Sequence, residues 1–185
     1  MSRIFPLMER CAELALGSDD QSLNELIAAL DHSRWEVRYA AAIALGDRRD
    51  ARAVPALLQV LAAEDAAGIY GQPKLTWEES GPIFPEGTTE ADKAAWSRRW
   101  RLKQAAIVAL GQIGAPDPRV FEILQRYVVD QDEEYGIRAA SGHTLGLIPD
   151  ASSLEALATA KSDPEFCART EAHKAWDRVN MATGV

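Results

Sequence analysis

Four stretches of this chain follow one pattern, and that repetition constrains the fold more than any other feature. In register they are Trp35-Glu-Val-Arg-Tyr-Ala-Ala-Ala-Ile-Ala-Leu-Gly46, Trp100-Arg-Leu-Lys-Gln-Ala-Ala-Ile-Val-Ala-Leu-Gly111, Tyr135-Gly-Ile-Arg-Ala-Ala-Ser-Gly-His-Thr-Leu-Gly146 and Phe166-Cys-Ala-Arg-Thr-Glu-Ala-His-Lys-Ala-Trp-Asp177. Each opens on an aromatic residue, and a basic residue follows three places on: Arg38, Lys103, Arg138 and Arg169. The third, sixth, seventh, tenth and eleventh positions are mostly apolar, which is the spacing of one helix face. Much of that face is alanine, so a neighbouring helix can approach closely. Gly46, Gly111 and Gly146 stand where a left-handed C-terminal cap is expected.

A second, simpler stripe precedes three of the four copies. It reads Leu23, Leu26, Ile27, Leu30, then Val54, Leu57, Leu58, Leu61, then Val120, Ile123, Leu124, Tyr127, and returns in shortened form as Leu154, Leu157, Ala158. Ser22-Leu-Asn-Glu25, Ser33-Arg-Trp-Glu36 and Ser152-Ser-Leu-Glu155 read as capping boxes. Asp117-Pro118 and Asp163-Pro164 read as helix starts with an acidic cap and a proline in the first turn. Residues 3–16 predict an amphipathic helix, with Ile4, Leu7, Met8, Cys11, Leu14 and Ala15 on one side, closing the N-terminal end of a stack. The expected fold is all-α: one domain over 1–185, a right-handed α-solenoid of about four helical pairs behind that capping helix.

The patterned helices start 65, 35 and 31 residues apart, so the first interval holds about 31 extra residues. The excess falls at 66–96, within the second repeat, and is rich in proline and glycine. A loop of this length is uncommon in a compact domain unless it has a task. Thr89 is placed to cap a helix running straight into the second patterned helix, which would make that helix unusually long.

The local matches Val37-Arg38-Tyr-Ala40-Ala41-Ala-Ile-Ala44-Leu45-Gly46 and Leu102-Lys103-Gln-Ala105-Ala106-Ile-Val-Ala109-Leu110-Gly111 resemble HEAT-like repeats, in particular the short type named for phycobilisome lyases. The resemblance spans about residues 20 to 180 and is specific for a fold, with little to say about function. It implies a ladder in which each recurring basic residue pairs with an acid of its own linker: Asp31 with Arg38, Asp132 with Arg138, Asp163 with Arg169. The last copy departs from the motif, with Trp176-Asp177 for Leu-Gly and Glu171 for a core alanine, as suits a terminal repeat. Catalytic relatives of this kind include bilin lyases and deoxyhypusine hydroxylase, but the paired His-Glu motifs of the latter are absent.

Charge and composition narrow the partners. Twenty basic against 28 acidic residues leave a net charge of −8, which disfavours steering toward nucleic acid or an anionic membrane. No apolar run approaches the roughly 20 residues a membrane helix needs. Cys11 and Cys167 lack metal-ligand spacing, and the charged start, Met1 to Arg10, is not a signal peptide, so a reduced, cytoplasmic location is expected. His32, His143 and His173 form no recognisable ligand set, and no metal or cofactor is expected.

Stacked pairs curve, and the outward positions of the second helices should line the inner surface. These are Glu36, Tyr39, Ile43; Arg101, Gln104, Val108; Ala139, His143; and Thr170, Lys174. The expected partner-binding residues are Tyr39, Gln104 and His143 from that surface, Tyr70, Trp77 and Phe84 from the insertion, and Trp96, Arg98, Arg99 and Arg101 from the one basic, aromatic cluster. The alternative for that cluster is pairing with Glu78, Glu79, Glu86, Glu90 and Asp92 in the neighbouring insertion. The aromatic quartet Trp35, Trp100, Tyr135 and Phe166 is expected to pack between repeats. No nucleophilic triad, phosphate loop or carboxylate pair emerges from spacing. The expected function is non-catalytic protein binding, as adaptor, assembly factor or inhibitor of the immunity type. The competing expectation is a bilin-lyase-like enzyme or chromophore-binding protein with a small molecule held near His143 and Tyr39.

Overall fold

The computed structural model describes residues 5–66, 84 and 87–184. Among these, every regular element is helical: α1 (Phe5–Ala15), α2 (Asp20–Ala29), α3 (Trp35–Arg48), α4 (Val54–Ala66), α5 (Glu90–Ile113), α6 (Pro118–Val129), α7 (Tyr135–Leu147), α8 (Leu154–Ala160) and α9 (Phe166–Thr183). Single 3-10 turns at Ala51–Ala53 and Ala151–Ser153 lead into α4 and α8. The pairs α2/α3, α4/α5, α6/α7 and α8/α9 stack as an all-α HEAT-type solenoid, and no described helix is long and apolar enough to cross a membrane.

The two stripes meet inside each pair. Leu23, Leu26, Leu57, Leu61 and Leu124 from the first helices are buried against Leu45, Leu102, Leu110, Ile137 and Leu145 from the second. Stacking between pairs is carried chiefly by the second helices: the tightest helix contacts run α7 to α9, α3 to α5 and α5 to α7, and α1 joins the same layer by packing on α3. So α1 extends the layer of patterned helices, with Cys11 and Leu14 buried and Phe5 and Leu7 exposed.

The glycines of the motif do not cap. Left-handed caps fall instead on Arg49 (φ 57°) and Gly114 (φ 69°), while Gly46, Gly111 and Gly146 lie inside their helices. Their task is close approach. A Cβ on Gly46 would stand 2.9 Å from the Cα of Ala109, one on Gly146 would stand 3.0 Å from the Cα of Ala175, and one on Gly111 would stand 3.1 Å from the side chain of Thr144. Ala109, Thr144 and Ala175 all occupy the tenth position of the following copy. Each terminal glycine is therefore the seat for the next patterned helix. The equivalent position on α9 carries Asp177.

The expected ladder exists, one repeat out of step. Arg38 lies 4.0 Å from Glu64 of the following pair, not against Asp31. Lys103 bonds Glu133 in the next linker and lies 2.8 Å from Asp65. Arg138 donates to Asp163 through Nε at 2.7 Å and through its terminal nitrogen at 3.1 Å, not to Asp132. Arg169 donates to the backbone carbonyls of Asp163 and Pro164. A side chain early in a helix leans toward the N-terminus, and from the stacking face it meets the acid of the next repeat before its own.

Three capping expectations also shift. Asp19, not Ser22, caps α2, and its carboxylate accepts from the Ser22 N–H at 2.8 Å. No side chain caps α3, and Asp150 serves the 3-10 turn ahead of α8. Asp117-Pro118 opens α6 as predicted, whereas Asp163 is taken by Arg138 and α9 starts at Phe166 with Glu165 at its N-cap. The Thr89 expectation holds: Thr89 and Asp92 form a reciprocal capping box, and α5 runs for 24 residues. Residues 90–96 of the expected insertion are thus helix.

Candidate functional site

None of the ten positions assigned to the inner surface is buried, so the register read from the repeats holds. Packing within a pair uses one face of α3, α5 and α7, and stacking uses the flanks, which leaves these residues to solvent. Two of the chain's few exposed large apolar residues, Ile43 (40%) and Val108 (38%), occupy equivalent positions on α3 and α5, and Leu147 (45%) lies one turn past His143 on α7.

His143 takes the same position on α7 as Ile43 and Val108 do on theirs. Its Nδ1 lies 3.0 Å from Oε2 of Glu171, whose Oε1 accepts from Lys174 Nζ at 2.7 Å. Burial works against the charge on Glu171, but the hydrogen bonds from Lys174 and His143 outweigh it and hold the carboxyl below its usual range. Glu171, read from sequence as a lapse from the alanine motif, is the residue that orients His143. The only signal for it was its three-residue spacing from Lys174.

Tyr39 packs its ring 6.1 Å from that of Trp35 on α3. α5 lies between α3, which carries Tyr39, and α7, which carries His143, and neighbouring helix axes are about 8–10 Å apart. Neither residue lines the cavities described at the start of α3, between α2 and α4, or on α6. Gln104 lies over Gly136 of α7.

The basic, aromatic cluster separates around its helix. Lys103 is buried at 5% exposure with Asp65 and Glu133. Arg99 pairs with Glu64 at 3.3 Å, while Arg98 donates to the Ala94 carbonyl of its own helix and Arg101 lies 5.5 Å from the Trp100 ring. Glu90 takes Lys93, and Asp92 takes Thr89. Phe84 is half-buried edge-on against Trp96, ring centroids 5.5 Å apart, so it belongs to α5's own packing. Tyr70, Trp77, Glu78, Glu79 and Glu86 lie outside the described residues. Of the quartet, Trp35, Trp100 and Tyr135 are partly buried, while Phe166 on α9 is 61% exposed, so the expected packing between repeats does not extend to it.

The titratable groups away from this face serve the ladder. Burial pushes Glu134 up to about 6, against the backbone N–H groups of Gly136 and Ile137 that it caps. Burial also opposes the charge on Asp65, and hydrogen bonds from Lys103 and Arg126 prevail and keep it below the ordinary range. Among the described residues no group of three or more His, Cys, Asp or Glu side chains is arranged to hold a metal ion.

The arrangement combines a charged ladder inside, close glycine seats between helices, and a solvent-facing surface of mixed chemistry. Comparison with known families matches HEAT repeats over residues 9–69 and 93–175, without singling out the phycobilisome-lyase type. A search of curated proteins finds no match. The family match covers most of the chain and skips the stretch between α4 and α5 where the repeat period breaks, so the protein belongs to the HEAT-repeat family.

Proposed function

We propose that the protein is a non-catalytic binding module, an adaptor, assembly factor or inhibitor, that holds a protein segment across the outward face of α3, α5 and α7. HEAT repeats commonly mediate protein–protein interactions. The observation that carries the reading is the solvent-facing pair Ile43 and Val108, which neither the pair interior nor the glycine seats require, joined by Leu147, which is 45% exposed although its side chain also borders the Gly111 seat. Apolar residues ringed by Tyr39, Gln104 and the His143–Glu171 pair match the apolar centre and polar rim of a protein interface. Exposed Arg98 and Arg101 with Trp96 extend the surface at its edge. A nucleic-acid surface would be more basic, and a chromophore site would draw Tyr39 and His143 together. Cys11 and Cys167 are free thiols in α1 and α9, at the two ends of the stack, and we extend the proposal to a reducing, cytoplasmic compartment.

Photo-crosslinking residues placed at Val108, at Leu147 and at Arg119 on the other layer test this in the native host. One protein should be captured from positions 108 and 147, not from 119, and lost when Ile43→Asp and Val108→Asp are combined. Equal capture from all three positions would refute the proposal.

A further inference from the structure

In an acidic chain, four arginines converge on one cavity. The start of α3 and the third turn of α5 flank an open cleft of about 480 Å³, lined by Arg34, Trp35, Glu36 and Arg38 on one side and by Arg98 and Arg99 on the other. The two inner arginines share a carboxylate, since Glu64 lies 3.3 Å from Arg99 and 4.0 Å from Arg38. The two outer ones, Arg34 and Arg98, are exposed and have no carboxylate partner among the described residues. Nε of Arg38 is buried and meets no acceptor. The residues opening α3 line the same cavity, and no side chain caps that helix start. Backbone N–H groups and the positive end of the helix dipole therefore add to the guanidinium field.

We propose that this cavity binds a phosphate group. Guanidinium forks engage phosphate oxygens through paired, charge-assisted hydrogen bonds. A monoanionic carboxylate would gain less, because it brings less charge and fewer acceptor oxygens to the two guanidiniums that Glu64 does not neutralise. A phosphate carries about −1.5 to −2 at neutral pH, which matches the two outer arginines. The indole of Trp35 in the wall gives an apolar surface to whatever bears the phosphate. None of Ile43, Val108 and Leu147 lines this site, so it does not depend on them.

Inorganic phosphate titrated into the full chain, with sodium chloride at matched ionic strength as the control, tests the proposal through backbone and arginine Nε–H NMR shifts. Phosphate should shift the signals of Arg34, Glu36 and Arg98 saturably, and chloride should not. Combining Arg34→Gln with Arg98→Gln should weaken binding about tenfold or more with thermal unfolding unchanged, since both residues are exposed. Glu36→Gln should tighten binding by removing a like charge. Ile43→Asp with Val108→Asp should leave phosphate binding intact, which separates this site from the protein-binding surface. Phenyl phosphate and a phosphoserine peptide, each compared with its unphosphorylated form, then tell a small-molecule source of the group from a protein one. Equal shifts from chloride, or phosphate affinity unmoved by the double arginine variant, would overturn the proposal.

Discussion

A methyl group on Gly46 would stand 2.9 Å from backbone, the Cα of Ala109, and one on Gly146 would stand 3.0 Å from the Cα of Ala175. Alanine in a helix interior normally gains about 1 kcal/mol over glycine, but overpacking costs about 1–3 kcal/mol. Gly46→Ala and Gly146→Ala should therefore lower stability by on the order of 1–2 kcal/mol. Gly111→Ala should cost less, because its nearest neighbours are side-chain atoms of Thr144 and Leu147. Urea midpoints of the three variants check the ranking. Glu134 makes a second residue-level prediction. Its folded pKa is raised from 4.5 to about 6 by burial, so the folded state holds the proton more tightly than the unfolded chain. The stability this contributes is present below pH 4.5 and lost as pH rises through 6, about 2 kcal/mol in all. Relative to the natural chain, Glu134→Gln should gain stability between about pH 4 and about pH 8, measured by urea unfolding at both values. A constant difference between the two proteins would contradict this.

Among the elements, α5 bears the most. Its 24 residues span about 36 Å, and its first ten residues project beyond the start of α3, carrying Arg98 and Arg99 to the arginine cavity. Its Lys103 is the central rung of the ladder, enclosed by Asp65, Glu133 and the ring of Tyr127 at 4.3 Å, with the Tyr127 hydroxyl donating to Asp65 at 2.9 Å. Lys103→Met would leave Glu133 and Asp65 without their buried cation and should cost about 3–5 kcal/mol. Arg52→Met, which removes an exposed pair with Asp50 and Asp20, should cost far less. Thermal unfolding of the two variants should separate them clearly, and equal losses would mean that the ladder contributes nothing special. The capping boxes read at Ser22, Ser33 and Ser152 show how local patterns mislead at element ends. An aspartate upstream starts the helical turn earlier: Asp19 accepts from the N–H of Ser22 and Asp150 from the N–H of Ser152, so neither serine stands at an N-cap of its own box.

Over the whole molecule, repeat number, pair composition and the buried stripes were legible because helical periodicity and the stacking of equivalent surfaces are written into each copy. Leu26, Leu45, Leu102, Leu124 and Leu145 are buried where that periodicity places them. The length of α5 was legible too, through Thr89 and Asp92, because a capping box is a contact between near neighbours in sequence. Contacts between repeats were less legible. A motif aligned on itself shows that Arg38, Lys103 and Arg138 are equivalent, yet not whether each reaches its own linker or the next one. That is set by how far one pair is displaced from another, and the displacement is set by the glycine seats. The pairing of His143 with Glu171 and the convergence of Arg34 and Arg38 with Arg98 and Arg99 arise in the same way, from helices far apart in sequence. The sequence by itself determined the helices, their pairing and the face each one buries, since these depend on 3.6-residue spacing and local caps. Only the tertiary structure decided which charges meet and where cations gather, because those follow from the offset between successive pairs, which no single repeat encodes.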